Sequence, residues 1–313
     1  MAILTVTLNP ALDLETSVDK VVPGEKLLCA EPSCDPGGGG INVARAVIQL
    51  GGAATALIAA GGIPGAMLEA MVTARGVPVE RLPAPSELRQ NLSVIETDTG
   101  NQFRFIFPGH QWDASHLDDL RARLLARAAP EDWLVLSGSL PPGVSPDALV
   151  ALVQALTGQG VQVIVDTSGP GLEALARART GLAVLRMNRE ESELLAGRAL
   201  ARAEDSASFA AQLAQDGVAG IVILARGAEG SVLATPTERW MVAAADVPVV
   251  SRTGAGDSFV AGAVLALSRG LPLPEVLSHG SAASSAAVTT AATALCSREM
   301  ADRLRPHCRV RPL

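Results

Sequence analysis

Basic tracts, aromatic rings and long apolar runs are all scarce in this chain, and each shortage removes a class of function. Aromatics make up 3% of the 313 residues, and 25 basic residues stand against 32 acidic ones, a net charge of −7. A nucleic-acid partner calls for the reverse, clustered Lys and Arg beside stacking rings, so none is expected. The longest bland stretch, Ser281 to Leu295, is broken by Ser and Thr, so no membrane partner is expected either. The start, Met1 to Leu8, has no basic leader and meets Asn9-Pro10 early; it reads as a first buried strand rather than a signal sequence. Four cysteines, Cys29, Cys34, Cys296 and Cys308, have neither zinc-site spacing nor the density of a disulfide framework. A reducing, cytoplasmic location fits them.

Motif absences narrow the field further. There is no Gly-x-x-x-x-Gly-Lys-Ser/Thr loop, which excludes the ordinary P-loop nucleotidases. The protein-kinase signature set and the serine-nucleophile elbow are missing too. His110, His116, His279 and His307 have no metal-ligand spacing and read as surface or loop residues.

What is present is an alternation. After a strand at 1–8, short strands with turns run to Cys34, and a glycine loop, Gly37 to Gly40, opens a helix ended by Gly51-Gly52. In this reading Asp13 sits in a turn at a strand's end. A strand at 53–60 and a helix from Pro64, suited to the first helical position, make one βα unit. Residues 89–96 and 102–107 form a hairpin in which Gln102 and Arg104 point one way and Phe103 and Phe105 the other. Three of the five phenylalanines are in this ribbon, so its apolar face is expected to be buried against another layer or another subunit. From 115 onward helices and strands alternate: strands at 133–137, 161–166, 182–187 and 221–225, then a pair at 231–234 and 239–243. Helices at 259–269, 273–290 and 298–304 close the chain. Such alternation implies an α/β fold, a parallel sheet covered on both faces. A length of 313 suits one large domain or two pieces.

In open α/β sheets, ligands gather at the carboxyl ends of strands. Ser137-Gly138-Ser139, Asp166, Asn188, Arg226-Gly227 and Gly254 to Asp257 all fall there. The last group stands out. Gly254-Ala255-Gly256 is a small-residue turn leading into an apolar helix, so unpaired N–H groups converge where the helix dipole is positive, a place for an anion. Asp257 sits beside it, where a carboxylate could take a proton from a hydroxyl attacking a phosphoryl group. A Gly-rich turn with an Asp helix cap is the plain alternative. The loop at 37–40 could suggest a dinucleotide fingerprint, but Pro36 spoils the preceding strand and no acidic ribose ligand follows at the usual distance. With two glycine loops and a ribbon bearing Arg89 and Arg104, the set describes phosphoryl transfer.

These residues carry a resemblance. Gly37 to Arg45 and Thr253 to Ser258 are similar to the two signatures of the ribokinase (PfkB) carbohydrate-kinase family. Thr7 to Asp13, Arg89-Gln90-Asn91, Ser137 to Gly143 and Leu295-Cys296-Ser297 extend the match over nearly the whole chain. They point to the hexose-phosphate kinase branch, closest to its minor-type 6-phosphofructokinases, with 1-phosphofructokinases and tagatose-6-phosphate kinases beside them. The resemblance implies a ribokinase-like three-layer α/β/α fold over 1–313, with a mostly parallel sheet and a small β-sheet lid from about 12–36 and 89–107.

It also implies roles. Asp257 would be the base, and the N–H groups of Gly254, Ala255 and Gly256 would hold the transferring phosphoryl group. Asp13, Gly38, Gly39 and Asn42 would hold sugar hydroxyls, and Lys26, Arg89, Arg104 and Ser139 the sugar's own phosphate. Arg186, Asn188, Arg226, Gly227 and Gly230, with Gly254 and Gly256, would line the ATP site. Asn188 and Glu191 match the family's Asn-x-x-Glu, which positions Mg2+ through water; K+ is left open as a further ion. Partners would be ATP, a sugar phosphate and a second copy joined through the lid, with Lys26 reaching the neighbour's site. A sugar-phosphate-binding protein without turnover is the non-enzymatic alternative. Four places depart from the family: Arg186-Met187 replaces Lys-Pro, Leu28 stands where a second cation is expected, Arg252-Thr253 replaces Thr-Val, and 289–294 lacks the Asn and Gly of the adenine pocket.

Overall fold

The computed structural model describes residues 1–82, 84–291 and 294–313. Its larger sheet has ten strands in the order β14-β13-β12-β11-β10-β9-β8-β1-β4-β5. These are β1 (Ile3–Thr7), β4 (Thr55–Ala59), β5 (Val79–Leu82), β8 (Trp133–Ser137), β9 (Gln162–Asp166), β10 (Leu182–Met187), β11 (Ala219–Ala225), β12 (Ser231–Ala234), β13 (Arg239–Val242) and β14 (Val310–Pro312). Pairing from β5 through β11 is parallel, and β12, β13 and β14 add on antiparallel.

Alternation along each strand sends successive side chains to opposite faces. Ile3, Val135, Ile164, Val184 and Ile223 join one core, while Leu4, Leu134, Val163, Leu185 and Val222 join the other. The first is covered by α1 (Gly39–Gln49), α2 (Gly62–Ala74), α8 (Ala255–Ser268), α9 (Leu273–Ala287) and α10 (Arg298–Leu304). The second is covered by α3 (Ala114–Arg127), α4 (Pro146–Gly158), α5 (Gly169–Ala178) and α7 (Ala203–Gln215), while the short α6 (Arg189–Ala196) follows β10. The three layers expected of the fold are present. Among the described residues no helix is long and apolar enough to cross a membrane.

A second sheet stands apart, in the order β3-β2-β6-β7: β3 (Ser33–Gly37), β2 (Ala11–Val18), β6 (Arg89–Glu96) and β7 (Gln102–Phe105). The hairpin expected at 89–107 is β6 and β7, extended by β2 running parallel to β6. Asp13 is therefore the third residue of a lid strand, not a turn residue; pairing with β3 and β6 holds it extended. The ribbon's apolar face is not covered within one chain, since Phe103, Phe105 and Phe107 are 36%, 49% and 53% exposed.

Other boundaries moved for local reasons. Pro64 is the third residue of α2, where its missing N–H is still one of the orphan donors of the first turn. Helix α8 starts at Ala255 rather than Phe259, so the glycine turn is itself the first turn of the helix. Helices α6 and α7 and strands β5 and β14 lie outside the elements expected from the sequence.

Candidate active site

The N-terminus of α8 is built by Gly254, whose φ of 75° lies in the left-handed region that favours glycine. No side chain caps this helix. The Ala255 N–H turns back toward the Arg252 carbonyl at 3.4 Å. Among the described residues no internal acceptor takes the N–H of Gly254 or Gly256, so two of the three expected donors are open to an anion. The guanidinium of Arg186 lies against the same turn: a Cβ added at Gly256 would stand 3.1 Å from both its terminal nitrogens.

Asp257 follows, half-buried and held by a relay from α1. Asn42 Nδ2 donates to Asp257 Oδ2 at 3.0 Å, and Arg45 donates to Asn42 Oδ1 at 3.3 Å. The relay fixes which way the amide points and leaves Oδ1 of Asp257 without an internal hydrogen bond among the described residues. Arg186, at the end of β10, donates to Asp166 Oδ1 at 3.1 Å, at the end of β9. Burial, and then the nearby charge of Asp166, push the Asp257 carboxyl up to about 7; the Asn42 hydrogen bond and the charges of Arg186 and Arg45 oppose them. A carboxylate with that affinity for protons suits a base working near neutrality.

The glycine loop is tight against the protein itself. Gly38 has φ 138° and ψ 135° and caps α1. A Cβ at Gly37 would fall on the Asp13 carboxylate, one at Gly38 on Thr7, and one at Gly39 on the Ser137 hydroxyl. Absent side chains thus let α1 approach β1, β8 and the lid, which brings Asn42 to Asp257 and Gly37 to Asp13.

The lid has a polar face. Paired residues share a face, so the register Asp13 opposite Asn91 and Ser93 opposite Arg104 puts these four, with Arg89, on one side. Asn91 Nδ2 donates to Asp13 Oδ1 at 2.8 Å. Arg89 donates to the carbonyls of Asn9, Pro10 and Phe107, at 2.9, 3.3 and 3.0 Å. It ties together the chain segments that enter and leave the lid, a duty the sequence did not reveal. Arg104 is exposed, with no side-chain partner among the described residues. Ser139 is exposed after β8 and accepts from Asn9 Nδ2 at 3.3 Å. Lys26 is exposed in the 19–32 loop, and no contact draws it to this chain's own site.

Beside α8 opens a cleft of about 440 Å³, whose lining includes Arg186, Asn188, Gly227, Gly230, Arg252 and Gly256. It continues into a lobe of about 600 Å³ with apolar walls at Ala245, Val247, Val249 and Val288. Gly230 has no room for a side chain, since a Cβ there would meet the Val242 carbonyl. Arg226 requires a correction. Its guanidinium is buried away from the cleft on the carbonyls of Leu200 and Ala201 and on Glu229, at 2.8, 2.8 and 2.6 Å. A buried guanidinium must be saturated with acceptors, and the segment before α7 supplies them with Glu229 and Ser206, so Arg226 braces the fold instead of facing a nucleotide.

Asn188 and Glu191 form a reciprocal capping box on α6, each side chain taking the other's backbone N–H at 2.8 Å. Two of their oxygens are committed there, and burial raises the Glu191 carboxyl. Among the described residues no three His, Cys, Asp or Glu side chains converge as a metal cage. A magnesium ion carried mainly by phosphates and water, with a carboxylate nearby, fits this donor set.

The model of the pfkB family carbohydrate kinases matches residues 7–300. The chain belongs to this family. It is 38% identical over 301 residues to an ATP-dependent 6-phosphofructokinase isozyme 2 of Mycobacterium tuberculosis, covering 96% of this chain and 88% of the relative. It is 31% identical over 312 residues to a 1-phosphofructokinase of Vibrio cholerae, covering 99% and 97%. Phosphofructokinase-2 of Escherichia coli, solved in complex with fructose-6-phosphate, superposes with a TM-score of 0.89 at 35% identity, over 98% of this chain and 99% of that one. The same E. coli protein has been solved with potassium and as a tetrameric inhibited form. The chain is thus a sugar kinase of the pfkB family, transferring phosphate to a hydroxyl, and the ribokinase-like fold is confirmed.

Within this pfkB site, sequence reasoning gave no role to Arg45, Asp166, Arg252 or the serines of α9. Ser281, Ser284 and Ser285 line the cleft, and their helical spacing was the available signal. Residues 292 and 293 of the adenine-pocket segment lie outside the described residues.

Proposed function

We propose that the chain is an ATP- and Mg2+-dependent kinase of fructose 6-phosphate, forming fructose 1,6-bisphosphate, with Asp257 as its base. The observation that carries this reading is the Asp257 carboxylate, held by Asn42, in the helix turn whose open N–H groups and whose Ala255 and Gly256 border the cleft. The sugar hydroxyl loses its proton to Asp257 Oδ1 as its oxygen bonds to the γ-phosphorus of ATP. The bond from that phosphorus to the bridging oxygen breaks, and ADP departs with the electron pair. Charge on the transferring group is met by the N–H groups of Gly254 and Gly256, with that of Ala255 once it leaves Arg252. One such donor contributes about 3 kcal/mol and a positioned base about 10²–10⁴ in rate.

Asp13, Asn42 and the backbone at Gly38 and Gly39 orient the sugar hydroxyls, while Arg104, Arg89 and Ser139 meet its phosphate, for which guanidinium forks are suited. Arg186, Gly227 and Gly230 border ATP, and Asn188 and Glu191 hold Mg2+ through water. The ion supplies positive charge to the donor's phosphates. K+ is proposed as an activating ion, supported by the potassium complex of the E. coli relative.

The choice of fructose 6-phosphate is supported by the polar lid face and the M. tuberculosis relative's name. A 1-phosphofructokinase or tagatose-6-phosphate kinase is the second reading, favoured by Leu28, which is 95% exposed in place of a cation, and by the V. cholerae relative. A coupled ADP-release assay over fructose 6-phosphate, fructose 1-phosphate, tagatose 6-phosphate and unphosphorylated sugars separates them. Turnover of free sugars with none of hexose phosphates overturns the proposal. Binding of sugar phosphate without product would restore the non-enzymatic reading.

The functional unit is proposed to be a homodimer through the lid sheets, with Lys26 serving the partner's site. Support comes from Phe103, Phe105 and Phe107, a patch too exposed for a monomer's edge. Sedimentation at a monomer's mass under assay conditions overturns it. A cytoplasmic location is supported by the four cysteines, all unpaired.

A further inference from the structure

We infer that Arg252 clamps the phosphate chain of the nucleotide and makes donor affinity depend on the number of phosphates. The inference rests on the kinase reading above and adds a residue to it. Three arginines line the 440 Å³ cleft: Arg186, Arg189 and Arg252. Arg186 is paired with Asp166, and Arg189 with Glu229. Arg252 is exposed, and its side chain has no hydrogen bond or ion pair among the described residues. Arg186 and Arg189 thus each already face a carboxylate, Glu229 being shared between Arg189 and Arg226, while Arg252 faces none.

Its position gives that free charge a use. Arg252 borders both the 440 Å³ cleft and the 600 Å³ apolar lobe, so it stands where the two join. A nucleotide with its base in the apolar lobe and its last phosphate at the N-terminus of α8 must lead its phosphates past this junction. The backbone of Arg252 adjoins the anion hole and competes for one of its donors, because its carbonyl takes the Ala255 N–H at 3.4 Å. A guanidinium drawn to a phosphate would pull on this turn and help release the Ala255 N–H toward the transferring group.

The chemistry suits the task. A nucleoside triphosphate carries about four negative charges, and the chain has no P-loop lysine to meet them. A guanidinium can bridge oxygens of two phosphates with parallel N–H groups, which an ammonium does less well.

Calorimetric titration of the full-length protein with Mg2+ and a non-hydrolysable ATP analogue, ADP or AMP tests the inference. In Arg252→Gln the Kd for the ATP analogue is expected to rise about tenfold, the order of one lost charge-assisted bond. The Kd for AMP should stay within about twofold, KM for the sugar phosphate should hold, and Arg252→Lys should recover part of the loss. Unchanged affinity for the ATP analogue overturns the inference. An equal loss for AMP also overturns it, because the residue would then act on the shape of the pocket. Failure of the unaltered protein to bind any nucleotide would instead overturn the kinase reading, and the clamp with it.

Discussion

The acid limb of the pH–rate profile should belong to Asp257, and its position should move with Asp166. Burial and Asp166 raise this carboxyl from an ordinary 3.8 to about 7, and only the charged form can take a proton. With a pKa of about 7, kcat/KM should fall about fivefold from pH 7 to pH 6 and about tenfold more from pH 6 to pH 5. A sugar phosphate titrates in the same range, near pH 6, so the informative quantity is the difference between variants on one substrate. Asp166→Asn removes the negative neighbour and also releases Arg186, which is 3.1 Å from that carboxylate. Both changes favour charged Asp257, so the limb should move to lower pH by about one unit, the order expected for one neighbouring charge. The assay is initial-rate ADP release from pH 5 to 9, at saturating donor and limiting sugar phosphate. A limb that stays fixed in Asp166→Asn, or one already centred near pH 4 in the unaltered protein, would refute the reasoning.

The same shift has a consequence for stability. Folding raises the proton affinity of Asp257, so the native state holds an extra proton between about pH 4 and 7 and its stability falls as pH rises through that window. Asp257→Asn should therefore raise Tm at pH 8 and leave it unchanged at pH 4, with an upper bound of about 4 kcal/mol on the gain. Arg226→Ala should cost about 2–4 kcal/mol in guanidinium denaturation, because it strips donors from the Leu200 and Ala201 carbonyls and leaves buried acceptors unpaired. Nucleotide affinity should hold; its loss without a loss of stability would return Arg226 to the cleft. Gly39→Ala would set a Cβ 2.3 Å from the Ser137 hydroxyl and push α1 away. A displacement near 1 Å at a reacting centre costs about 100-fold, to be read in kcat/KM at unchanged quaternary state.

Much of this was legible in the chain because the signals were local and mutually consistent. Strands such as 133–137 and 182–187 are short apolar runs between helices, and Gly254 to Asp257 reads as a helix N-terminus from residue type alone. What escaped depends on distant partners. Arg226 and Arg186 both follow or end sheet strands, and nothing in their neighbours says that one is saturated by the segment before α7 and Glu229 while the other faces the cleft. Asp13 looked like a turn residue because its pairing partners, Asp35 and Asn91, are far along the chain. The proton affinity of Asp257 is set first by burial and then by Asp166, Asn42 and Arg186, all of which only folding brings together.

The central claim, that Asp257 is the base for phosphoryl transfer, is tested most directly by comparing Asp257→Asn with the unaltered protein on fructose 6-phosphate and ATP. The account predicts a kcat lower by about 10²–10⁴, with Kd for the ATP analogue and for the sugar phosphate within about threefold, because Asn keeps the size of the side chain and a carbonyl oxygen for Asn42. A kcat within about tenfold of the unaltered protein, at saturation with both substrates, would contradict it.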